Sequence, residues 1–71
     1  MGKAHISNKI RTLRFNHDEM TQQQLADKAG VTRQTIVAIE KGNYSPSLEL
    51  AFRIARVFSL TLEEVFSFEE N

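Results

Sequence analysis

Residues 21–42 read TQQQLADKAGVTRQTIVAIEKG, and the turn chemistry inside this stretch decides the fold. Thr21 followed three residues later by Gln24 forms a capping box, in which the threonine hydroxyl takes the Gln24 N–H and the glutamine side chain reaches back to the Thr21 N–H. Met20 and Leu25 flank it as a hydrophobic staple, so a helix is predicted from Thr21 to Ala29. Gly30 supplies the left-handed conformation that ends it. Val31-Thr32 opens the next helix at once, with Thr32 as cap and Val31 stapled to Ile36, and Gly42 stops it after about Lys41. Two short helices joined by a tight glycine turn are the arrangement that sets a second helix into a DNA major groove.

The outer face of that second helix carries the chemistry. With Ile36 and Ile39 inward, a step of about 100° per residue puts Gln34, Ala38 and Lys41 on the opposite side, flanked by Arg33 and Val37. Glutamine pairs in bidentate fashion with adenine, arginine with guanine, and a small apolar group such as Val37 or Ala38 touches a thymine methyl; each good bidentate pair discriminates by about 1–3 kcal/mol. Amide nitrogens at the start of the first helix of the pair, capped at Thr21, offer a phosphate site to which Gln22 adds its side chain. Plainer readings stand beside these. Arg33 and Gln34 also suit a solvated helix face, Val37 and Ala38 a core, Lys41 the negative end of the helix dipole, and Tyr44 a cover for the helix end.

Outward from this centre the chain reads as short helices throughout. The first is predicted from Ser7 or Asn8 to Phe15 or Asn16, with Ile10 and Leu13 inward and Lys9, Arg11 and Thr12 outward. Pro46 with Ser45 or Ser47 opens a fourth, whose Leu48, Leu50, Ala51, Ile54, Ala55 and Phe58 supply much of the core. Thr61-Leu62-Glu63-Glu64 is another capping box, stapled by Leu60 and Val65, for a fifth helix ending near Phe66. From Val65 to Glu69 apolar and polar residues alternate, so a short strand is the alternative there. Exposed Phe66 and Phe68 require cover, from a second copy or from the segment around Ile6. One domain is predicted: a helix-turn-helix body over 7–66, an N-terminal extension over 1–6 that is either partly non-native or a short strand, and an acidic tail over 67–71 that could serve as a dimerisation strand.

Composition narrows the function. The 71 residues hold nine Lys and Arg and nine Asp and Glu, yet all nine cations lie in residues 1–58 against five acids, a surplus of four, while Glu63, Glu64, Glu69 and Glu70 crowd the end. Such asymmetry lets one face meet phosphate while the acidic end points away. There is no cysteine, and His5 and His17 lack ligand spacing, so neither disulfide, metal nor cofactor is expected. No apolar run reaches the ~20 residues of a membrane span, and no export leader is evident, which predicts a cytoplasmic protein. Met1-Gly2 has the look of a myristoylation start, but that pattern wants Ser or Thr where Ile6 stands. An enzyme is not expected, because no nucleophile-base pair or phosphate-cradling glycine loop is present.

The run from Thr21-Gln22-Gln23-Gln24-Leu25-Ala26 through Gly30-Val31-Thr32-Arg33-Gln34-Thr35-Ile36 to Ile39-Glu40-Lys41-Gly42 resembles the Cro/repressor (XRE) helix-turn-helix family. The likeness continues through Tyr44-Ser45-Pro46-Ser47-Leu48-Glu49-Leu50-Ala51 and Leu62-Glu63-Glu64-Val65-Phe66, and so covers about residues 7–68. It implies an all-α, lambda-repressor-like domain of five short helices, with the terminal β-ribbon and homodimeric state of short stand-alone members. It further implies that Arg33, Gln34, Val37 and Ala38 face bases, that Gln22, Thr32, Thr35, Lys41, Asn43 and Tyr44 meet the DNA backbone, and that Arg14 and Glu40 form an internal ion pair. The partners implied are double-stranded DNA with a near-palindromic operator, read by the third helix, and a second copy dimerised through Phe66 and Phe68, with no small-molecule ligand. A transcriptional repressor is the expectation; a protein-interaction module such as an antitoxin or anti-repressor is the alternative that the fold also serves. The loop from Phe15 to Met20 is one residue longer than in phage repressors of this family, and the loop at Asn43-Tyr44-Ser45 is less basic than is common there.

Overall fold

The computed structural model describes residues 4–70; Met1 to Lys3, including the Met1-Gly2 start, and Asn71 lie outside that range. The elements run β1 (Ala4–Asn8), α1 (Ile10–Phe15), α2 (Gln22–Ala29), α3 (Arg33–Glu40), α4 (Leu48–Val57), α5 (Leu62–Val65) and β2 (Phe66–Glu70). Five helices therefore make up the body, and the strand alternative at the chain end is the one adopted.

Side-chain caps start four of the five helices. Thr21 and Thr61 close full capping boxes with Gln24 and Glu64, and the hydroxyls of Thr32 and Ser47 accept from the Thr35 and Leu50 amides. At the far end of α3, Gly42 (φ 79°) allows Asn43 N–H to reach the Ala38 carbonyl at 2.9 Å and its own N–H to reach Ile39 at 3.0 Å, the Schellman closure that a left-handed residue permits. Gly30 (φ 76°) reverses the chain after α2 and brings Val31 N–H to the Ala26 carbonyl.

α1 begins at Ile10, later than the Ser7 or Asn8 expected from sequence. Ser7 and Asn8 belong instead to β1, and Asn8 joins three elements: its Oδ1 accepts from Ile10 N–H (3.1 Å) and its Nδ2 donates to the Ile39 carbonyl at the end of α3 (3.0 Å). Between α1 and α2 the chain turns through two consecutive left-handed residues, Asp18 (φ 55°) and Glu19 (φ 53°), after which Met20 N–H returns to the Arg14 carbonyl.

The core is one cluster around Ile10, Leu25, Ile36, Ile39, Ile54 and Val65, with Ala26, Ala29, Ala51 and Ala55 letting the helices approach closely. Leu50, Ala51, Ile54, Ala55 and Phe58 bury as expected, but Leu48 is 67% exposed. It is the first residue of α4, and helical spacing groups it with the exposed Phe52 four residues on rather than with the Leu50–Ile54 stripe. β1 and β2 pair antiparallel, Ile6 opposite Phe68 and Asn8 opposite Phe66. Phe66 is 7% exposed and belongs to the protomer's own core, so only Phe68, 64% exposed, remains of the two phenylalanines assigned to dimerisation.

Candidate nucleic-acid interface

α3 is held by its inner side. Ile36 and Ile39 are 0% and 2% exposed, which leaves the rotation of the helix little freedom and turns the opposite side outward. Arg33 and Gln34 are exposed there, Val37 and Ala38 are half-buried at the margin, and Lys41, Asn43 and Tyr44 continue the exposed surface past the helix end. Thr32 is exposed and Thr35 half-buried, their hydroxyls 3.1 Å apart at the first turn. Thus the four residues assigned to base reading lie along one rim of α3, and those assigned to the backbone bracket it.

A cleft opens beside this helix, lined by Arg11 and Arg14 of α1, Thr21, Gln22 and Gln23 at the start of α2, and Arg33, Val37, Glu40 and Lys41 of α3, with Glu19 on its edge. Its electrostatics follow from an internal neutralisation. Arg14 Nε donates to Glu40 Oε2 at 2.6 Å and Nη2 to Oε1 at 3.1 Å, while Nη1 donates to the Met20 carbonyl at 2.8 Å. This fork geometry is the strong form of an ion pair, and the side chains are only 14% and 9% exposed. Gln22 Nε2 adds a third donor to Glu40, reaching Oε1 at 3.3 Å. With Glu40 so engaged, Arg11, Arg33 and Lys41 face the cleft against a single other carboxylate, Glu19, and the surface attracts anions.

Gln22 therefore stands half-buried between Glu40 and the cleft, tied to the protomer by that bond. Arg11 and Gln23 are cleft residues that the sequence pattern did not assign; the signal for Arg11 was its outward position three residues before Arg14, on the same side of α1. Tyr44 is 51% exposed and borders a groove with Ile39 and Gly42 at the end of α3 and with Ile6, Phe66 and Phe68 of the strands. His17 serves the protomer, its Nδ1 3.0 Å from the Leu13 carbonyl and its ring edge-on to Phe58 at 5.0 Å. His5 lies on β1.

Comparison with known proteins agrees with this geometry. The family model described as helix-turn-helix (HTH_3) matches residues 12–65. The chain is 50% identical over 66 residues to an uncharacterised HTH-type transcriptional regulator of Methanocaldococcus jannaschii, covering 93% of this chain and 98% of that one. It is 38% identical over 66 residues to the cryptic phage CTXphi transcriptional repressor RstR of Vibrio cholerae, covering 93% of this chain and 59% of the relative. Among solved structures, a candidate DNA-binding protein from Bacteroides fragilis superposes with a TM-score of 0.73 at 19% identity, over 87% of this chain and 98% of that one, which is a likeness of fold.

Proposed function

Because this chain belongs to the Cro/C1-type (XRE) helix-turn-helix family of DNA-binding transcriptional regulators, we propose that it is a repressor that binds a near-palindromic duplex operator as a homodimer and reads bases with α3. The observation that carries this reading is the exposure of Arg33 and Gln34 on a helix whose opposite side is locked into the core. Arg33 and Gln34 hydrogen-bond base edges, and Val37 and Ala38 supply apolar contact to thymine methyls. Gln22, Thr32, Thr35, Lys41, Asn43 and Tyr44 meet phosphates on either side and set the register, with the amide end of α2 opening onto the same cleft. Two copies of α3 about 34–36 Å apart would match half-sites one helical turn apart. Occlusion of a promoter by this complex would make it a repressor, the role named for the Vibrio cholerae phage relative, acting in the cytoplasm. Among the described residues, no helix is long and apolar enough to cross a membrane.

Selection of a recurrent site from random duplex, followed by titration of two variants, tests the proposal. Gln34→Ala should cost about 1–3 kcal/mol on the selected site and relax preference at one base pair per half-site. Lys41→Ala should weaken cognate and random duplex alike and reduce the salt slope by about one unit for each phosphate that the lysine neutralises. Equal weakening on cognate and random DNA from the Gln34 change would remove that residue from base reading. A pure protein indifferent to every duplex at low salt would turn the assignment to a protein-interaction module.

A further inference from the structure

The β1–β2 ribbon has two outer edges, and they differ. Lys9 N–H bonds the Val65 carbonyl at 2.9 Å, one step beyond the Asn8–Phe66 pair in the same register. Antiparallel ladder bonds recur at alternate pairs, so Ser7 and His5 direct their N–H and C=O groups to β2. Ile6, and the Ala4 and Asn8 backbone on either side of it, point theirs the other way. Among the described residues the sheet has two strands only, and no hydrogen bond outside the ladder reaches the Ile6 backbone. Unpaired edge groups of this kind template the addition of another strand.

We propose that the β1 edge is where a second copy adds, β1 against β1 of the partner in antiparallel fashion about a two-fold axis at Ile6, giving a four-stranded sheet in the order β2–β1–β1–β2. The proposal rests on the homodimer reading above and says where the two copies meet. Charge decides between the edges. Residues 4–8 carry no acid, whereas β2 carries Glu69 and Glu70, and joining two β2 edges would gather four carboxylates, a like-charge arrangement that destabilises pairing.

Side chains on both faces fit the β1 pairing. Ile6 faces Phe68 across the existing ladder, so the two-fold axis creates a row of Phe68, Ile6, Ile6 of the partner subunit and Phe68 of the partner subunit. That row covers apolar surface which the single protomer leaves 37% and 64% exposed at Ile6 and Phe68. On the other face His5, already opposite Glu69, meets Ser7 of the partner subunit, and Ser7 itself is joined to Ser67 and Glu69 at 2.8 and 3.0 Å.

The absence of cysteine from the chain makes single-cysteine cross-linking a direct test. In the proposed sheet the two Ile6 Cα atoms lie about 5.5 Å apart, within disulfide reach. Two Phe68 Cα atoms are three strand spacings apart, about 14–15 Å, which is beyond that reach. Oxidation of dilute protein should convert nearly all of Ile6→Cys to a covalent dimer and leave His5→Cys and Phe68→Cys almost wholly monomeric on a non-reducing gel. Ile6→Pro, which removes an outward N–H and no β1–β2 ladder bond, should raise the dimer dissociation constant about tenfold or more in sedimentation while helical circular dichroism is retained. A sedimenting dimer in which Ile6→Cys does not cross-link, or in which Ile6→Pro changes nothing, would overturn the β1 interface and leave the homodimer standing. A wild-type monomer at all concentrations would overturn both.

Discussion

Arg14 ties α1 to two other parts of the molecule, its three nitrogens engaging Glu40 on α3 and the Met20 carbonyl at the entry to α2. Removing one partner leaves the other charge nearly buried and uncompensated, so Glu40→Ala should cost about 3–5 kcal/mol in urea denaturation. Arg14→Lys should recover little of the stability that Arg14→Ala removes, because an ammonium cannot reproduce the planar fork; full recovery would mean that charge alone matters at this site. The pair spans 26 positions, and no local pattern links residues so far apart. Family resemblance implied it, whereas Gln22 as its third member emerges only when α2 and α3 are seen packed together. By contrast Arg33 and Gln34 were legible, because the buried Ile36 and Ile39 dictate by helical period what must face outward.

At the scale of elements, three helix ends share one closure and differ in the residue that makes it. α2 and α3 use Gly30 and Gly42, while α4 ends on Ser59 at φ 57°, with Leu60 N–H on the Ala55 carbonyl. A left-handed L-residue costs roughly 1–2 kcal/mol, so Ser59→Gly should stabilise the protein by about 1 kcal/mol in thermal melts; no gain would mean that the strain is relieved elsewhere. Gly30→Ala should act in the opposite direction, its added Cβ meeting the strained φ and an Arg53 nitrogen at 3.4 Å.

The start of α5 adds a pH dependence. Glu64 is held below the ordinary glutamate range by the Thr61 N–H that its carboxylate accepts, then by the Thr61 side chain, with burial opposing weakly. A depressed folded value means that the cap's stabilisation is complete above the ordinary range and is lost as pH falls through the lower folded value. Melts between about pH 6 and pH 3 should therefore show a smaller acid destabilisation for Glu64→Gln, which keeps an acceptor but does not titrate. Caps and staples of this kind were readable in advance because each involves residues three to five positions apart. The start of α1 was not, since the Ile10 N–H is held by the side chain of Asn8, a residue in a strand whose partner lies 58 positions away.

For the molecule as a whole, Arg11, Arg14, Arg33 and Lys41 gather at the cleft beside α3, whereas Glu63, Glu64, Glu69 and Glu70 gather at α5 and β2. Under the dimer reading, Phe68→Glu places a carboxylate in the apolar row and should yield monomers in sedimentation with helical circular dichroism unchanged. A surviving dimer would move the interface elsewhere. Phe66 makes no comparable test, because it is a core residue and its replacement would unfold the protomer.

Taken alone, the amino-acid sequence determined five helices, the caps of the last four, the glycine turn between α2 and α3, and the side of α3 that faces outward. All of these follow from interactions within one or two helical turns, where backbone geometry and residue chemistry suffice. Tertiary structure decided the rest: that residues 4–8 pair with 66–70, that Phe66 is core while Leu48 and Phe68 are surface, and that Gln22 completes the Arg14–Glu40 site. Each of these depends on which distant segments meet, and that is set by how one small core closes rather than by any local pattern.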